Sequence, residues 1–265
     1  MTRVLSGTVL GAVFFALVWF SNATVLLVVA MAVCALALHE YVGLMRAVQA
    51  DVPRLPTLAA TLAVLAAVPF PVVPLEVAIG VGLLVIAVAI MAQATTSVLQ
   101  PAMRGAAGAA LSLVYLGLPL GSLVGVHIYG GRNAVLLLVA SIVVSDTAQY
   151  YSGRLMGRHA LAPQLSPKKT IEGAVGGLVA CPIFMYFAGP QLIPVAEPVV
   201  SAVLGLGLVI AGIAGDLFES MLKRAAGLKD SSSLIPGHGG VLDRIDALLF
   251  ASPLFYLYVR WVYTP

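Results

Sequence analysis

The densest group of ionisable side chains in the chain lies in residues 220–246. Asp230, Asp243 and Asp246 supply carboxylates, and His238 lies among glycines. The basic residues of the segment are Lys223, Arg224, Lys229 and Arg244. Mg²⁺ is commonly held by one or two carboxylates together with substrate phosphates, and Lys and Arg bind such phosphates. These residue types therefore predict a site for a metal ion and a polyphosphate.

The rest of the chain is strongly apolar. Hydrophobic residues make up 61% of the sequence and charged residues 9%, with a mean hydropathy of +1.05, which is typical of an integral membrane protein. The apolar runs are continuous rather than alternating, so they predict helices rather than strands. Ionisable groups inside such helices usually mark a functional site. Cys34 and Cys181 lie in apolar runs and indicate neither a disulfide nor a metal framework.

The apolar runs predict an all-α, polytopic membrane protein with about nine transmembrane helices and a polar cavity open to the cytoplasm. The first run resembles a signal peptide, but a second follows almost at once, so we interpret it as an uncleaved span. We expect one membrane-embedded catalytic domain over 1–265, with N-terminal helices in 1–130 and the motif-bearing half in 131–265. The predicted spans are about 4–20, 24–45, 57–73, 75–92, 105–127, 134–152, 172–188, 199–222 and 241–262.

The 14 Lys and Arg residues predict the orientation of the chain. If the N-terminus is inside, twelve of them lie on the cytoplasmic side, and Arg132 and Arg260 lie outside, as the positive-inside rule requires. We therefore expect a multi-pass protein of the cell inner membrane whose N-terminus and active site face the cytoplasm. A basic cytoplasmic face suits anionic lipid headgroups and nucleotides as partners.

Two spans carry polar side chains at i, i+3, i+4, i+7 and i+8, the spacing of one helix face. The two sets are Asp216, Glu219, Ser220, Lys223 and Arg224, and Asp146, Gln149, Tyr150, Gly153 and Arg154. Because such faces do not tolerate lipid, we expect them to line the cavity, together with Asp243 and Asp246. The alternative is that groups such as Lys223 and Glu219 form buried ion pairs that hold the helices together.

A second anion site is predicted between the sixth and seventh spans. Ser166 is expected to cap a helix that begins at Pro167, which would place Lys168 and Lys169 in its first turn. The helix dipole disfavours cations there, and a bound polyanion would remove the conflict. The alternative is that the two lysines only mark the cytoplasmic side.

Four further features of the sequence bear on the predicted site. Gly239 and Gly240 allow the backbone to approach a phosphate closely, and His238 is a donor to phosphate oxygen or a proton-transfer group. Glu172 suits the start of the seventh span as a capping residue or a functional one. Glu40 is expected to form a local polar pair with the adjacent His39.

Three blocks of residues in the C-terminal half match a known pattern. They are Ser145, Asp146, Thr147, Tyr150, Gly153 and Arg154; Ser166, Pro167, Lys168, Lys169, Thr170, Glu172 and Gly173; and Ser220, Leu222, Lys223, Arg224, Lys229, Asp230, Ser232, Ile235, Pro236, His238, Gly239, Gly240, Val241, Asp243, Arg244, Ile245 and Asp246. This pattern resembles the phosphatidate cytidylyltransferase (CDP-diacylglycerol synthase) family. Residues 1–130 match only as short hydrophobic spans, and Gln149 stands where the pattern leads us to expect a small residue.

The resemblance implies transfer of the cytidylyl group of CTP to phosphatidate, which gives CDP-diacylglycerol and pyrophosphate. It implies Mg²⁺ as cofactor and leaves a second, monovalent or divalent, cation open. The implied metal ligands are Asp216, Asp243, Asp246 and Asp146, and the implied catalytic residues are Asp216, Asp243, Asp246, Lys223 and His238. The residues implied for binding substrate phosphates are Lys168, Lys169, Ser220, Arg224, Lys229, Gly239, Gly240 and Arg244.

The expected partners are CTP, phosphatidate and membrane lipid. We expect no nucleic-acid partner, and the sequence does not decide whether the protein forms a homodimer. A CTP-dependent lipid kinase is one alternative function. A transporter of an anion or cation is another, because intramembrane carboxylates also mark ion pathways.

Overall fold

Helices form most of the protein. The computed structural model describes residues 11–12, 15–93, 99–232, 234 and 239–263. Its helices are α1 (Ala23–Ala47), α2 (Arg54–Ala67), α3 (Leu75–Gln93), α4 (Leu99–Ser112), α5 (Leu118–Met156), α6 (Ile171–Leu192), α7 (Pro198–Ala225) and α8 (Leu242–Tyr263). A π-helical turn, Leu113–Gly117, joins α4 to α5, and two short strands, β1 (Ala160–Ala162) and β2 (Ser166–Thr170), lie between α5 and α6.

Six helical segments of the described residues are long and apolar enough to cross a membrane: Ala23–Ala47, Leu75–Gln93, Leu99–Met156, Ile171–Leu192, Pro198–Ala225 and Leu242–Tyr263. The predicted all-α, polytopic architecture is confirmed, and the chain is a multi-pass membrane protein. The count of nine spans is not confirmed. About half of the predicted span 4–20 falls outside the described residues, and Arg54–Ala67 is a shorter apolar helix of 14 residues.

The predicted spans 105–127 and 134–152 fall within the single helical run Leu99–Met156, which is 58 residues long. The run changes direction at Gly131, whose φ of 69° is not helical. Glycine adopts a positive φ without the steric cost that a Cβ imposes. The break therefore separates two helical stretches that the sequence predicted as separate spans.

One compact unit comprises Met1–Gly125 and Leu222–Ile245. Asn22 caps α1 by accepting a hydrogen bond from Val25 N at 2.9 Å. The Tyr41 hydroxyl of α1 donates to the carbonyl of Gly108 in α4 at 2.9 Å. The second contact ties the C-terminal half of α1 to α4.

The other compact unit comprises Val126–Met221 and Asp246–Pro265. Within it, β1 and β2 pair antiparallel in a short hairpin that leads into α6. A Cβ on Gly173 would lie 2.8 Å from the carbonyl oxygen of Gln149, so the start of α6 packs against α5 without a side chain between them. This close approach brings the hairpin beside the polar face of α5.

Candidate functional site

Three carboxylates converge in the second unit. Asp216 and Glu219 lie three residues apart on α7, and Asp246 lies near the start of α8. Each offers one carboxylate oxygen, and the three oxygens lie within 4.8 Å of one another. Asp216 and Asp246 are partly exposed, whereas Glu219 is fully buried. Like charges this close repel one another strongly in a medium of low dielectric constant, so the arrangement favours a bound cation.

The packing of α7 against α8 explains how these carboxylates meet. A Cβ on Gly215 would collide with the carbonyl oxygen of Asp246, so glycine at this position lets the two backbones approach. Beside it, the rings of Phe218 and Phe250 pack with centroids 5.7 Å apart. Asp216 directly follows Gly215 on α7, so this close contact places Asp216 near Asp246 on α8.

Lys169 forms an ion pair with Asp216. The side chains are only 23% and 33% exposed, so solvent screens this pair less than a surface pair. The lysine is not in the first turn of a helix, and that prediction is wrong. Residues Ser166–Thr170 form β2, and α6 begins only at Ile171, because Thr170 is its N-cap and accepts a hydrogen bond from Gly173 N at 3.1 Å.

A cavity of about 380 Å³ opens beside this ion pair. Its volume is in the usual range for sites that bind small molecules. Cations from two elements line it, Arg154 from α5 and Lys168 and Lys169 from β2, together with the carboxylates of Asp146 and Asp216. The cavity thus combines the predicted polar face of α5 with the predicted lysine pair, and its cations suit an anionic ligand.

Gln149, the departure from the family pattern, is accommodated on the wall of this cavity. Its Nε2 donates to Ser145 Oγ at 2.9 Å and to Asp146 Oδ1 at 3.4 Å. A Cβ on Gly177 would lie 2.8 Å from Gln149 Cγ, so the glycine provides room for the larger side chain. The amide thus contacts a carboxylate that lines the same cavity.

Glu172 anchors the hairpin. Its Oε2 accepts hydrogen bonds from the backbone N–H groups of Arg158 and His159, at 3.1 and 3.3 Å, and its Oε1 lies 2.6 Å from His159 Nδ1. The capping role at α6 belongs to Thr170 instead. Glu172 therefore holds the residues before β1 and so supports the strand that carries the lysines.

Asp243 has a different environment, in the first unit. Its Oδ1 lies 2.6 Å from Lys223 Nζ. Its Oδ2 accepts hydrogen bonds from Ser231 N at 2.9 Å, Ser231 Oγ at 2.8 Å and Gly240 N at 2.7 Å. Both oxygens are thus engaged by protein groups, and the assignment of Asp243 as a metal ligand stays a prediction.

The role of Glu40 was not predicted from the sequence. Glu40 is buried on α1, and its carboxylate accepts hydrogen bonds from Ser231 and Ser232 and from the backbone of Val241 and Leu242. The predicted local pair with His39, which is exposed, is wrong. The available signal was the carboxylate itself, since an ionisable residue inside a span demands partners.

Glu219 was also missed as a member of the carboxylate cluster. The sequence placed it on the correct face of α7, where we considered it as a partner of Lys223. The structure shows Lys223 paired with Asp243. The available signal was the i, i+3 spacing from Asp216, which places two carboxylates on one helix face.

The remaining predicted residues occupy varied positions. Ser220 Oγ donates to Asp216 Oδ1 at 3.4 Å, and Arg224 donates to the carbonyl of Leu228 at 3.0 Å. Lys229 and Arg244 are exposed. His238 lies outside the described residues. Gly239 has a φ of +79°, a conformation that glycine adopts readily. The substrate-binding roles of these residues stay predictions.

Comparison with known proteins adds a family match. A model described as the cytidylyltransferase family matches residues 1–262. The phosphatidate cytidylyltransferase of Haemophilus influenzae is 43% identical over 135 residues, which cover 49% of this chain and 47% of the relative. The phosphatidate cytidylyltransferase of Pseudomonas aeruginosa is 44% identical over 123 residues, covering 45% of each chain.

A further relative, the uncharacterized protein YnbB of Escherichia coli, is 42% identical over 135 residues, covering 51% of this chain and 45% of the relative. The chain spans about half the length of these curated relatives.

Proposed function

The chain belongs to the cytidylyltransferase family, and we propose that it transfers the cytidylyl group of CTP to phosphatidate, giving CDP-diacylglycerol and pyrophosphate. Two relatives that match about half of the chain carry the name phosphatidate cytidylyltransferase. The polar groups of the second unit support the same reaction, because two anionic substrates require cations and a negatively charged transition state requires charge stabilisation.

The observation that carries the proposal is the cluster of Asp216, Glu219 and Asp246 oxygens within 4.8 Å of one another. Carboxylate oxygens at this spacing fit a hard divalent cation, and Mg²⁺ is the ion that accompanies nucleotide phosphates. These three residues would hold the ion, with Asp146 lining the adjacent cavity. When bound, Mg²⁺ would neutralise charge on the phosphates of the substrate.

The cations of the cavity would bind the phosphates. Lys168 and Arg154 are exposed and line the same cavity as Lys169, so they can approach the triphosphate of CTP or the phosphate of the lipid. Lys169 contacts Asp216. This lysine would hold the carboxylate in place and would also bind a substrate phosphate. Charge-assisted contacts of this kind are stronger than neutral hydrogen bonds.

The proposed transfer is an in-line displacement. A phosphate oxygen of phosphatidate forms a bond to the α-phosphorus of CTP, and the bond from the α-phosphorus to the bridging oxygen of the β-phosphate breaks. Pyrophosphate leaves with the electron pair of that bond. A phosphate monoester is already ionised near pH 7, so the attacking oxygen needs no general base.

Location and orientation are part of the proposal. Twelve of the 14 Lys and Arg residues lie on one predicted side of the membrane, which by the positive-inside rule is the cytoplasmic side. We infer an inner-membrane location with the N-terminus and the cavity facing the cytoplasm. There CTP is available in solution and the phosphate of phosphatidate lies at the membrane interface.

The test of the function uses two labelled forms of CTP. Purified protein in detergent receives phosphatidate, Mg²⁺ and CTP labelled with ³²P at either the α- or the γ-phosphorus. The proposed reaction moves the α label into lipid and releases the γ label as pyrophosphate. A lipid kinase would instead move the γ label into lipid, and a transporter would move neither, so each of those results would overturn the proposal.

A matched pair of variants links the activity to the cluster. Asp216→Asn should abolish transfer of the α label. Asp51→Asn removes the same charge from an exposed residue of the first unit and should leave the transfer unchanged.

A further inference from the structure

Glu40 joins the two ends of one loop. Its Oε1 accepts hydrogen bonds from Ser232 Oγ at 2.7 Å and Val241 N at 2.9 Å. Its Oε2 accepts from Ser231 Oγ at 2.9 Å and Leu242 N at 2.8 Å. Ser231 and Ser232 open the loop, whereas Val241 and Leu242 close it at the start of α8. One carboxylate on α1 thus binds both ends of the segment 231–242.

The start of α8 explains why this carboxylate is needed. The first N–H groups of a helix lack acceptors within the helix, and a side chain at the N-cap usually supplies one. Gly240 precedes these residues and has no side chain. Asp243, in the first turn of α8, accepts the N–H of Gly240 at 2.7 Å. Glu40 supplies the acceptor for the next two amides.

The contact between Glu40 and the start of α8 requires a glycine at position 240. A Cβ there would collide with Ser231 Oγ and Glu40 Oε2. The N–H groups of Gly240, Val241 and Leu242 all donate to carboxylates of the protein. The predicted role of this glycine in the close approach of a phosphate therefore has an alternative, which is the close approach of Glu40.

We propose that Glu40 is a positioning residue, which holds the two ends of the segment 231–242 and with them the ion pair of Lys223 and Asp243. Ser232, Val241 and Leu242 donate to its oxygens, and the single hydroxyl proton of Ser231 is shared between Glu40 and Asp243, so the carboxylate acts as a structural acceptor. The inference rests on the proposed function for its kinetic consequence, because that segment belongs to the motif expected to bind substrate. Its structural consequence is independent of catalysis.

The structural arm of the test is limited trypsin digestion, followed by mass spectrometry. Lys229 lies just before the loop and is exposed, and Arg158 is an exposed site in the other unit that serves as an internal reference. In Glu40→Gln, cleavage after Lys229 should accelerate at least about tenfold relative to cleavage after Arg158, the size expected from one lost charge-assisted hydrogen bond. Glu76→Gln, at an exposed glutamate of α3, is the matched control and should match the wild type.

The kinetic arm uses a double-mutant cycle between Glu40→Gln and Ser232→Ala. Each single change should lower kcat/KM, and the double variant should be no worse than Glu40→Gln alone, because both remove the same contact. Glu40→Asp, which keeps the charge on a shorter side chain, should recover part of the loss. If Glu40→Gln does not fold, the variant Ser231→Ala/Ser232→Ala, with Glu40 intact, should show the faster cleavage instead.

Wild-type cleavage after Lys229 in both the Glu40 and the serine variants would overturn the inference. Additive effects in the cycle would also overturn it. The digestion needs no turnover, so a protein that fails to produce CDP-diacylglycerol would refute the proposed function and leave the digestion result as a separate test of Glu40.

Discussion

Lys223 and Asp243 form a buried ion pair between the last turns of α7 and the first turn of α8, with Nζ and Oδ1 2.6 Å apart and side chains only 12% and 6% exposed. A second oxygen of the same aspartate receives three further hydrogen bonds from Ser231 and Gly240. Asp243 therefore joins the end of one helix, the intervening loop and the start of the next helix.

The first prediction separates this structural role of Asp243 from metal binding. Asp243→Asn should lower the free energy of unfolding by about 3–5 kcal/mol, the usual cost of removing one partner of a buried ion pair. The double variant Lys223→Gln/Asp243→Asn should be more stable than the sum of the single effects predicts, by at least about 1 kcal/mol. Denaturation with sodium dodecyl sulfate in mixed micelles measures both quantities.

Strictly additive effects on stability would argue against the pair. If Asp243→Asn kept the stability of the wild type but lost affinity for Mg²⁺, Asp243 would be a metal ligand, as the family resemblance implies.

The second prediction concerns the carboxylate cluster. Addition of Mg²⁺ should raise the thermal midpoint of the wild type, because a ligand that binds only the folded state stabilises it. Asp216→Asn, Asp246→Asn and Glu219→Gln should each remove most of this increase and reduce turnover. Glu219→Gln is the most informative of the three, since sequence reasoning did not select Glu219 as a ligand. An unchanged Mg²⁺ response in that variant would exclude it from the metal site.

The third prediction distinguishes the two lysines of β2. Lys169 contacts Asp216 and is partly buried, whereas Lys168 is exposed at the cavity. Lys169→Gln should lower kcat/KM at least about tenfold, the value of one hydrogen bond to a charged group. Lys168→Gln should mainly raise KM for CTP. Arg104→Gln, which removes an exposed cation of α4, is the control. Wild-type kinetics in both variants would show that Lys168 and Lys169 serve only to set the topology.

The fourth prediction concerns orientation. Single cysteines at Pro163 and Ala225 should react with an impermeant thiol reagent only from the cytoplasmic side, and one at Val195 only from the opposite side. All three positions are exposed, and the native cysteines Cys34 and Cys181 are buried, so background labelling should be low. Labelling of these cysteines from the reverse sides would invert the topology and remove access of CTP to the cavity.

Much of the fold could be predicted because long apolar runs have few alternatives to helices in a membrane. The predicted span 24–45, for example, is α1 at Ala23–Ala47. The start of α6 was placed too early, because Ser166 and Pro167 form a good helix-start signal by themselves. Thr170 provides the actual cap, and pairing with Ala160–Ala162 makes the intervening residues a strand. Strands of three and five residues leave little periodicity to detect.

The candidate site was predictable in its residue types and less so in its pairings. Helical spacing placed Asp216 and Glu219 on one face, and the structure adds Asp246 to them. Spacing carries no information on which of several carboxylates meets which cation, so Lys223 was considered with Glu219 although it pairs with Asp243. The partners of Glu40 lie 191 to 202 residues further along the chain, beyond any local pattern.

That separation has a consequence for biosynthesis. The ribosome makes α1 long before the donors that its carboxylate requires, and 191 residues separate Glu40 from Ser231. At synthesis rates of 5–20 residues per second, the interval is roughly 10–40 s. A buried carboxylate without hydrogen-bond donors is costly, so the nascent chain must keep Glu40 hydrated or otherwise bound during this time. The late arrival of the loop and α8 therefore completes the burial of a carboxylate on a helix that was made long before.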